Sequence, residues 1–155
     1  MTRDRQSNHK IGRLGERLVS QWLESRGWIT LHHRWYTRWG EVDVIAQAKS
    51  SNALAFVEIK TRGRGNWDSE GILAITAHKQ AKLCHAAALF LAEHPDLAEF
   101  SCRFDVALVS YHKSQICSNN LTDKRDRAIV LGQPIILAEY QMILHDYIES
   151  AFDCC

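Results

Sequence analysis

The sequence predicts an α/β sandwich, a central mixed sheet flanked by helices. Three observations predict it: an amphipathic helical period between Ile11 and Trp22, three consecutive strand-like stretches between residues 28 and 60, and a second helical period followed by a strand pattern at 103–112. With 155 residues, 46% hydrophobic and 24% charged, the chain has the size of one domain, 1–155, and can bury roughly 70% of its unfolded surface.

Residues 1–8 are polar and read as a disordered tail. Ile11, Leu14, Leu18 and Trp22 then recur at steps of three and four, the period of a helix that ends near Gly27. Gly12 and Gly15 inside it each cost about 1 kcal/mol relative to Ala, and they share a helical sector with Glu16, Val19 and Leu23. A sector lined by glycine implies close approach of another element, with Glu16 beside it. "WITLHHRW" (28–35), "EVDVIAQA" (41–48) and "ALAFVEIK" (53–60) have strand character and are separated by Gly40 and by the hairpin signal "KSSN", which suggests an antiparallel meander. "TRGRGNWDSE" (61–70) reads as a flexible basic loop. A second helix is expected from an N-cap at Thr76 to about Glu93, ended by Pro95, with Leu83, Ala87 and Phe90 in its period. "RFDVALVSYH" (103–112) alternates as a strand. "PIILAEYQMI" (134–143) fits either a last strand or the start of a C-terminal helix, and the polar stretch 113–133 reads as a long loop.

Charge is unevenly placed. Residues 1–80 hold 13 Lys/Arg against 8 Asp/Glu, whereas 81–155 hold 6 against 10, a weak pointer to a polyanionic partner of the first half. Cys84, Cys102, Cys117, Cys154 and Cys155 are odd in number and lack Cys-x-x-Cys spacing, and no signal-peptide pattern precedes them. These features argue against a disulfide framework or a zinc site and for a cytoplasmic protein, with Cys154 and Cys155 a loose tail. No apolar run approaches the length of a membrane span.

In a strand, residues two apart share a face, so Glu58 and Lys60 point one way while Val57 and Ile59 point the other. The same rule puts Glu41 and Asp43 on one face of the preceding strand. Pairing through "KSSN" would bring Asp43 near Glu58. Two carboxylates at about 4 Å repel by about 4 kcal/mol at an effective dielectric of 20, and a divalent cation would supply the missing counter-charge. Magnesium takes one or two carboxylates and fills its remaining positions with water and phosphate oxygens. Lys60 could then orient or deprotonate a water, or neutralise charge growing on a phosphate. The plainer meaning of an isolated Glu-x-Lys is a same-face ion pair at a sheet surface, worth 0 to about 1 kcal/mol.

The combination narrows the choice. "GRLGE" on the first helix, "GEVDVIA" at 40–46 and "FVEIKTR", whose Glu58 follows Asp43 after 14 intervening residues, resemble the YraN family of small endonuclease-like proteins. That family belongs to the PD-(D/E)XK nuclease superfamily, whose nearest folds are the archaeal Holliday-junction resolvases and the RecB-like nucleases. The resemblance runs from about residue 9 to 112 and continues in "RFDVALV" and "IESAF" (148–152). It implies a restriction-endonuclease-like sandwich in which Asp43 and Glu58 bind Mg2+ or Mn2+, Lys60 is the catalytic lysine and Glu16 is the helix-borne glutamate that faces the site. Gln80 lies where some relatives place a helix Gln or Lys near the metal or phosphate, with Lys79 its competitor. Val42 stands where the superfamily's name has proline, a familiar departure in this family.

Other residues take bland and functional readings side by side. Glu41 is either an additional metal oxygen or, as a strand-start acid, a partner of Arg38 or Arg62. Arg62 and Arg64 suit phosphate contacts, which position a nucleic acid without reading it, or are solvated loop arginines. His32, His33, His78 and His85 complete no tetrahedral set. Trp28, Trp35, Trp39 and Trp67 could stack on unpaired bases, though such residues more often cap a core. Arg103 and Asp105 share a strand face and are expected to pair with each other or with a neighbouring strand. The sequence thus points to a metal-dependent endonuclease acting on DNA, branched or single-stranded. The alternative is a nucleic-acid-binding module with negligible cleavage in isolation, serving a repair, recombination or uptake complex. The least specific reading is a structural α/β domain with surface ion pairs. Resolvase relatives work as dimers, which carries a homodimer over as an implication of the resemblance alone.

Overall fold

A computed structural model describes residues 2–63, 75–114 and 128–154. Helix α1 (Thr2–Ser25) leads into β1 (Trp28–Thr37), β2 (Gly40–Ala48) and β3 (Ala53–Gly63). Helix α2 (Ala77–Glu93) and a short 3-10 turn (Pro95–Leu97) follow, then β4 (Ser101–Lys113), β5 (Pro134–Leu137) and β6 (Tyr140–Phe152). The six strands form one sheet in the order β1-β2-β3-β4-β6-β5. Strands β1, β2 and β3 are the expected antiparallel meander. Strand β3 pairs parallel with β4, which requires a crossover, and α2 lies within it. The result is a mixed sheet with two helices, the α/β sandwich that the sequence predicts and one compatible with a restriction-endonuclease-like fold.

Each sheet face carries a core. On one, Leu18, Val19 and Trp22 of α1 pack with Val44, Ala55, Val57, Val109, Met142 and Leu144. On the other, Leu83, Ala87 and Phe90 of α2 pack with Val42, Ile45, Leu54, Phe56 and Phe104. Burial of each such side chain contributes about 1.5–3 kcal/mol. Because β3 and β4 sit between two helical layers, Leu54–Glu58 and Phe104–Ser110 are buried without a break, the continuous pattern of strands covered on both sides. Helix α1 stops where Gly27 adopts φ +90, with its N–H donating to the Glu24 carbonyl at 3.2 Å. Helix α2 opens as expected, Thr76 Oγ1 accepting from the Lys79 N–H at 3.1 Å.

Three expectations change and one open alternative is settled. The polar residues 2–8 are not a tail but the first turns of α1, added to a helix already held by its buried later turns, so that they extend it without the cost of a new nucleus. Strand β3 runs three residues further than expected, through Thr61–Gly63, because its parallel partner continues alongside to Tyr111. The segment 134–143 is strand, a hairpin whose Glu139 carboxylate takes Lys10 of α1 at 2.8 Å. Finally, Cys84 of α2 and Cys154 beyond β6 form a disulfide, with Cα atoms 5.8 Å apart. Their separation of 70 residues hides the pairing from any reading of local spacing, and the bond removes cysteine usage as a ground for a reducing compartment. The loop expected at 113–133 is described only at its ends, where Lys113 closes β4 and residues 128–133 lead irregularly into β5; 115–127 lie outside the described residues. No helix among the described residues is long and apolar enough to cross a membrane.

Arg103 and Asp105 do pair, at 3.0 Å. Asp105 also accepts from Tyr147 Oη at 2.6 Å and from the Ser150 N–H at 3.0 Å, which pins β6 to β4 across a break in their register between Phe104 and Val106. Burial pushes the Asp105 carboxyl above its usual range, against the opposing pull of those three donors.

The glycine-lined sector of α1 is where the helix comes down on the sheet. A Cβ on Gly15 would lie 2.9 Å from Thr61 Oγ1 and 3.9 Å from Ile59 Cγ2 and Met142 Cε. Gly15→Ala is therefore expected to destabilise the protein by about 1–3 kcal/mol in urea unfolding, despite the better helix propensity of alanine. In a Thr61→Ala background the same change should cost little or gain, and equal costs in the two backgrounds would show that close packing is not the reason for the glycine.

Candidate functional site

The site forms where β2 leaves β3. Their ladder runs from Gln47↔Leu54 to Val44↔Val57, and the next step would pair Asp43 with Glu58. There the Asp43 side chain replaces the backbone: its Oδ2 accepts the Ile59 N–H at 2.8 Å. Strand β2 also loses its alternation here, since Val42 belongs to the α2-side core and Val44 to the α1-side core although they are two residues apart. Facing it, Arg34 of β1 holds a left-handed φ of +50. The result is an open cleft of about 270 Å³ lined by Glu16 and Gly12 from α1, Asp43 from β2, and Ile59, Thr61 and Arg62 from β3, among others.

Four acids occupy this place. Ligand oxygens of Glu16, Glu41 and Asp43 all lie within 4.8 Å of one another. Glu58 comes from the other face of β3, the side of Phe56 and α2: its Oε1 is 3.5 Å from Lys79 Nζ, and its Oε2 is buried without a hydrogen-bond partner among the described residues. Such an atom is expensive to leave unmade, about 1–3 kcal/mol or more for a charged group. Burial first, and then the charge of Glu58, push the Asp43 carboxyl up to about 8, with Glu16 and Glu41 adding to the effect and the Ile59 amide opposing it. Burial likewise raises Glu16, although the Arg34 guanidinium beside it pulls the other way.

The chain supplies two cations of its own. Arg34 Nε donates to Glu16 Oε1 at 2.6 Å and stands 3.9 Å from Glu41 Oε1, and Lys79 serves Glu58. Glu41 therefore meets Arg34, not Arg38 or Arg62, because the β1–β2 register sets Arg34 in line with Asp43 between the pairs His33↔Val44 and Trp35↔Val42. Arg34 is the residue that the sequence does not single out. Only the register reveals it, together with Gly12, whose missing side chain leaves room for its guanidinium.

The remaining candidates fall as follows. Lys60 is half-buried on the strand face of Glu58, with no hydrogen bond or ion pair among the described residues. Gln80 spends its amide on the Ile75 carbonyl at 3.0 Å, so it is Lys79, its competitor, that reaches an acid. Arg62 is exposed at the cleft, and Arg64 and Trp67 lie outside the described residues. Trp35 packs edge-on against Phe90, Arg103 lies over Trp28, and Trp39 stacks on His85, so these three tryptophans are engaged within the fold.

The donor set is all oxygen, which fits magnesium or manganese and not zinc. Glu16, Glu41 and Asp43 could hold such an ion, with the orphaned Glu58 carboxylate beside them.

Comparison with known proteins places the chain. A family model described as Uncharacterised protein family UPF0102 matches residues 15–109, which span the second half of α1, the meander, α2 and most of β4. The UPF0102 protein alr1796 of Nostoc sp. (strain PCC 7120) is 47% identical over 151 residues, covering 96% of this chain and 97% of its own length. A UPF0102 protein of Trichodesmium erythraeum (strain IMS101) is 45% identical over 91% of this chain and 87% of its own, and one of Acaryochloris marina (strain MBIC 11017) is 45% identical over 96% and 94%. A family model over well more than half of the chain, and relatives this similar along nearly their whole length, establish that the chain belongs to the UPF0102 family, also called the YraN family.

Proposed function

We propose that this protein is a Mg2+- or Mn2+-dependent nuclease that hydrolyses phosphodiester bonds in DNA, branched or single-stranded. The observation that carries this reading is a carboxylate set that the folded chain leaves under-neutralised: Glu58 Oε2 is buried with no hydrogen-bond partner among the described residues, and Asp43 is raised by burial and then by its acidic neighbours. A bound divalent ion would supply the missing positive charge and polarise a phosphate oxygen. The chain's own part is to present Glu16, Glu41, Asp43 and Glu58 to that ion, to leave Lys60 free to orient or deprotonate water or to meet charge on the phosphate, and to offer Arg62 to the backbone. A cytoplasmic location goes with this reading, and the Cys84–Cys154 disulfide is the observation that stands against it. The dimeric resolvases suggest a homodimer by analogy alone.

A second reading has one observation in its favour. Arg34 and Lys79 already sit on Glu16 and Glu58, as they would in a nucleic-acid-binding module that keeps the charge set without turnover.

Cleavage of labelled duplex, single-stranded and four-way-junction DNA in Mg2+ or Mn2+ decides between them. Wild type is expected to cut at least one of these, and Lys60→Ala and Glu58→Ala to lose about a hundredfold or more. Binding without cleavage under every metal would favour the binding module.

Stability tests the charge deficit separately. Because Asp43 titrates above its unfolded value of 3.8, its contribution to stability is complete below that pH and is lost as the pH rises toward about 8. Asp43→Asn, whose side-chain oxygen can still accept the Ile59 amide, should therefore stabilise the metal-free protein at pH 8 by about 1–3 kcal/mol and flatten its stability between pH 5 and 8. Magnesium should raise the wild-type Tm and leave the variant nearly unmoved. A variant less stable than wild type in chelator at pH 8 would contradict the deficit.

A further inference from the structure

Arg34 has no part in the reaction as proposed so far, yet its surroundings are built for it. Its Nε donates to Glu16 at 2.6 Å and lies 3.9 Å from Glu41, so one guanidinium bridges two of the three clustered acids. Its backbone has φ +50 inside a strand, a conformation that costs an L-residue of this size free energy. Helix α1 is cut away for it: a Cβ on Gly12 would come within 3.2 Å of Arg34 Nη2. Among the described residues Nη2 donates only to the His9 carbonyl, at 3.5 Å, and neither Asp43 nor Glu58 forms a hydrogen bond or ion pair with the group.

An arginine held by a strained backbone on the oxygens that suit a divalent ion is in the position of a competitor. The same guanidinium matches a phosphate bidentately, as a lysine cannot.

We propose that Arg34 is a resident counter-cation: it holds Glu16 and Glu41 in the metal-free protein, is displaced when a divalent ion takes those acids, and then binds a backbone phosphate of the substrate. The exchange swaps one ion pair for another and involves no bond making. It makes Arg34 a substrate-positioning residue whose availability depends on metal loading. This inference rests on the metal-dependent reading above and adds to it the order in which the two cations use the site. A purely structural Arg34–Glu16 pair predicts the opposite, since losing it would disorder Glu16 and weaken metal binding.

Titration calorimetry with Mn2+ on the full chain separates them. Arg34→Gln is expected to bind Mn2+ about five- to tenfold more tightly than wild type. In Ca2+ it should bind a labelled four-way junction several-fold more weakly, with a salt dependence shallower by about one phosphate contact. Equal or weaker Mn2+ affinity would overturn the competition, and unchanged DNA affinity and salt slope would overturn the phosphate role. If Arg34→Gln does not fold, wild type alone suffices: the 15N-resolved Nε–H resonance of Arg34 should shift and lose protection from exchange as Mg2+ saturates the protein. A resonance indifferent to saturating Mg2+ would overturn the proposal while leaving the nuclease reading intact. A wild type that binds neither Mn2+ nor Mg2+ would bring down both.

Discussion

Asp43 takes the amide of Ile59, and the pairing of β2 with β3 ends there. A backbone bond in that place would have carried the ladder onward and closed the sheet over the position where the acids gather. The side-chain bond satisfies Ile59 N–H, as a buried donor requires, while letting the two strands diverge. It also fixes one oxygen of Asp43 and turns the carboxylate toward α1. Glu16 and Glu41 can join it only because of that turn, and Glu58, one step along on the other face, is left with one oxygen toward Lys79 and the other buried.

The helix must come close for this to work, and its sequence is shaped accordingly. Gly15 lets α1 rest on Thr61 and Ile59, and Gly12 clears the guanidinium of Arg34. Two glycines in the interior of a helix cost about 1 kcal/mol each, offset here by the buried Ile11 before the site's turn and Leu18, Val19 and Trp22 after it. Glu16, next to Gly15, is carried to the sheet by these two devices. It stays buried there at the expense of a raised carboxyl, in the way functional sites retain locally unfavourable choices.

Much of this arrangement was legible in the sequence. The alternation at Glu58 and Lys60, the "KSSN" turn and the glycine sector beside Glu16 foretold the meander, the approach of Asp43 to Glu58 and the helix that supplies a third acid. Periodicity did so because each of these is local: a strand's faces and a helix's stripe follow from residue spacing alone. What escaped was set by register and by distance along the chain. Arg34 meets Glu16 through a positive φ in β1 that no spacing rule announces, and Lys79 displaced Gln80 as the partner of Glu58 through the placement of α2 on the sheet. Cys84 and Cys154 pair across 70 residues for the same kind of reason. The fourth acid, Glu41, reads from the sequence either as an additional metal oxygen or as a structural partner of Arg38 or Arg62, and its contact with Arg34 instead follows only once β1 and β2 are in register.

The charge distribution then has one further consequence. Among the described residues these four acids have two ion-paired cations, unevenly spread: Arg34 serves Glu16 and grazes Glu41, Lys79 serves Glu58, and Asp43 has only the Ile59 amide as hydrogen-bond partner. An ion pair at a partly buried site must offset the desolvation of both members, so a fold selected for stability would either complete the pairing or replace an acid with an apolar side chain of similar size. This fold does neither. It leaves the deficit at Asp43, the residue that ends the ladder on β2, and keeps Lys60, on the Glu58 face of neighbouring β3, out of any ion pair among the described residues. A half-buried lysine left without an acid next to an under-neutralised carboxylate on its own strand face is better explained by a role toward something that binds there than by any contribution to the stability of the empty fold.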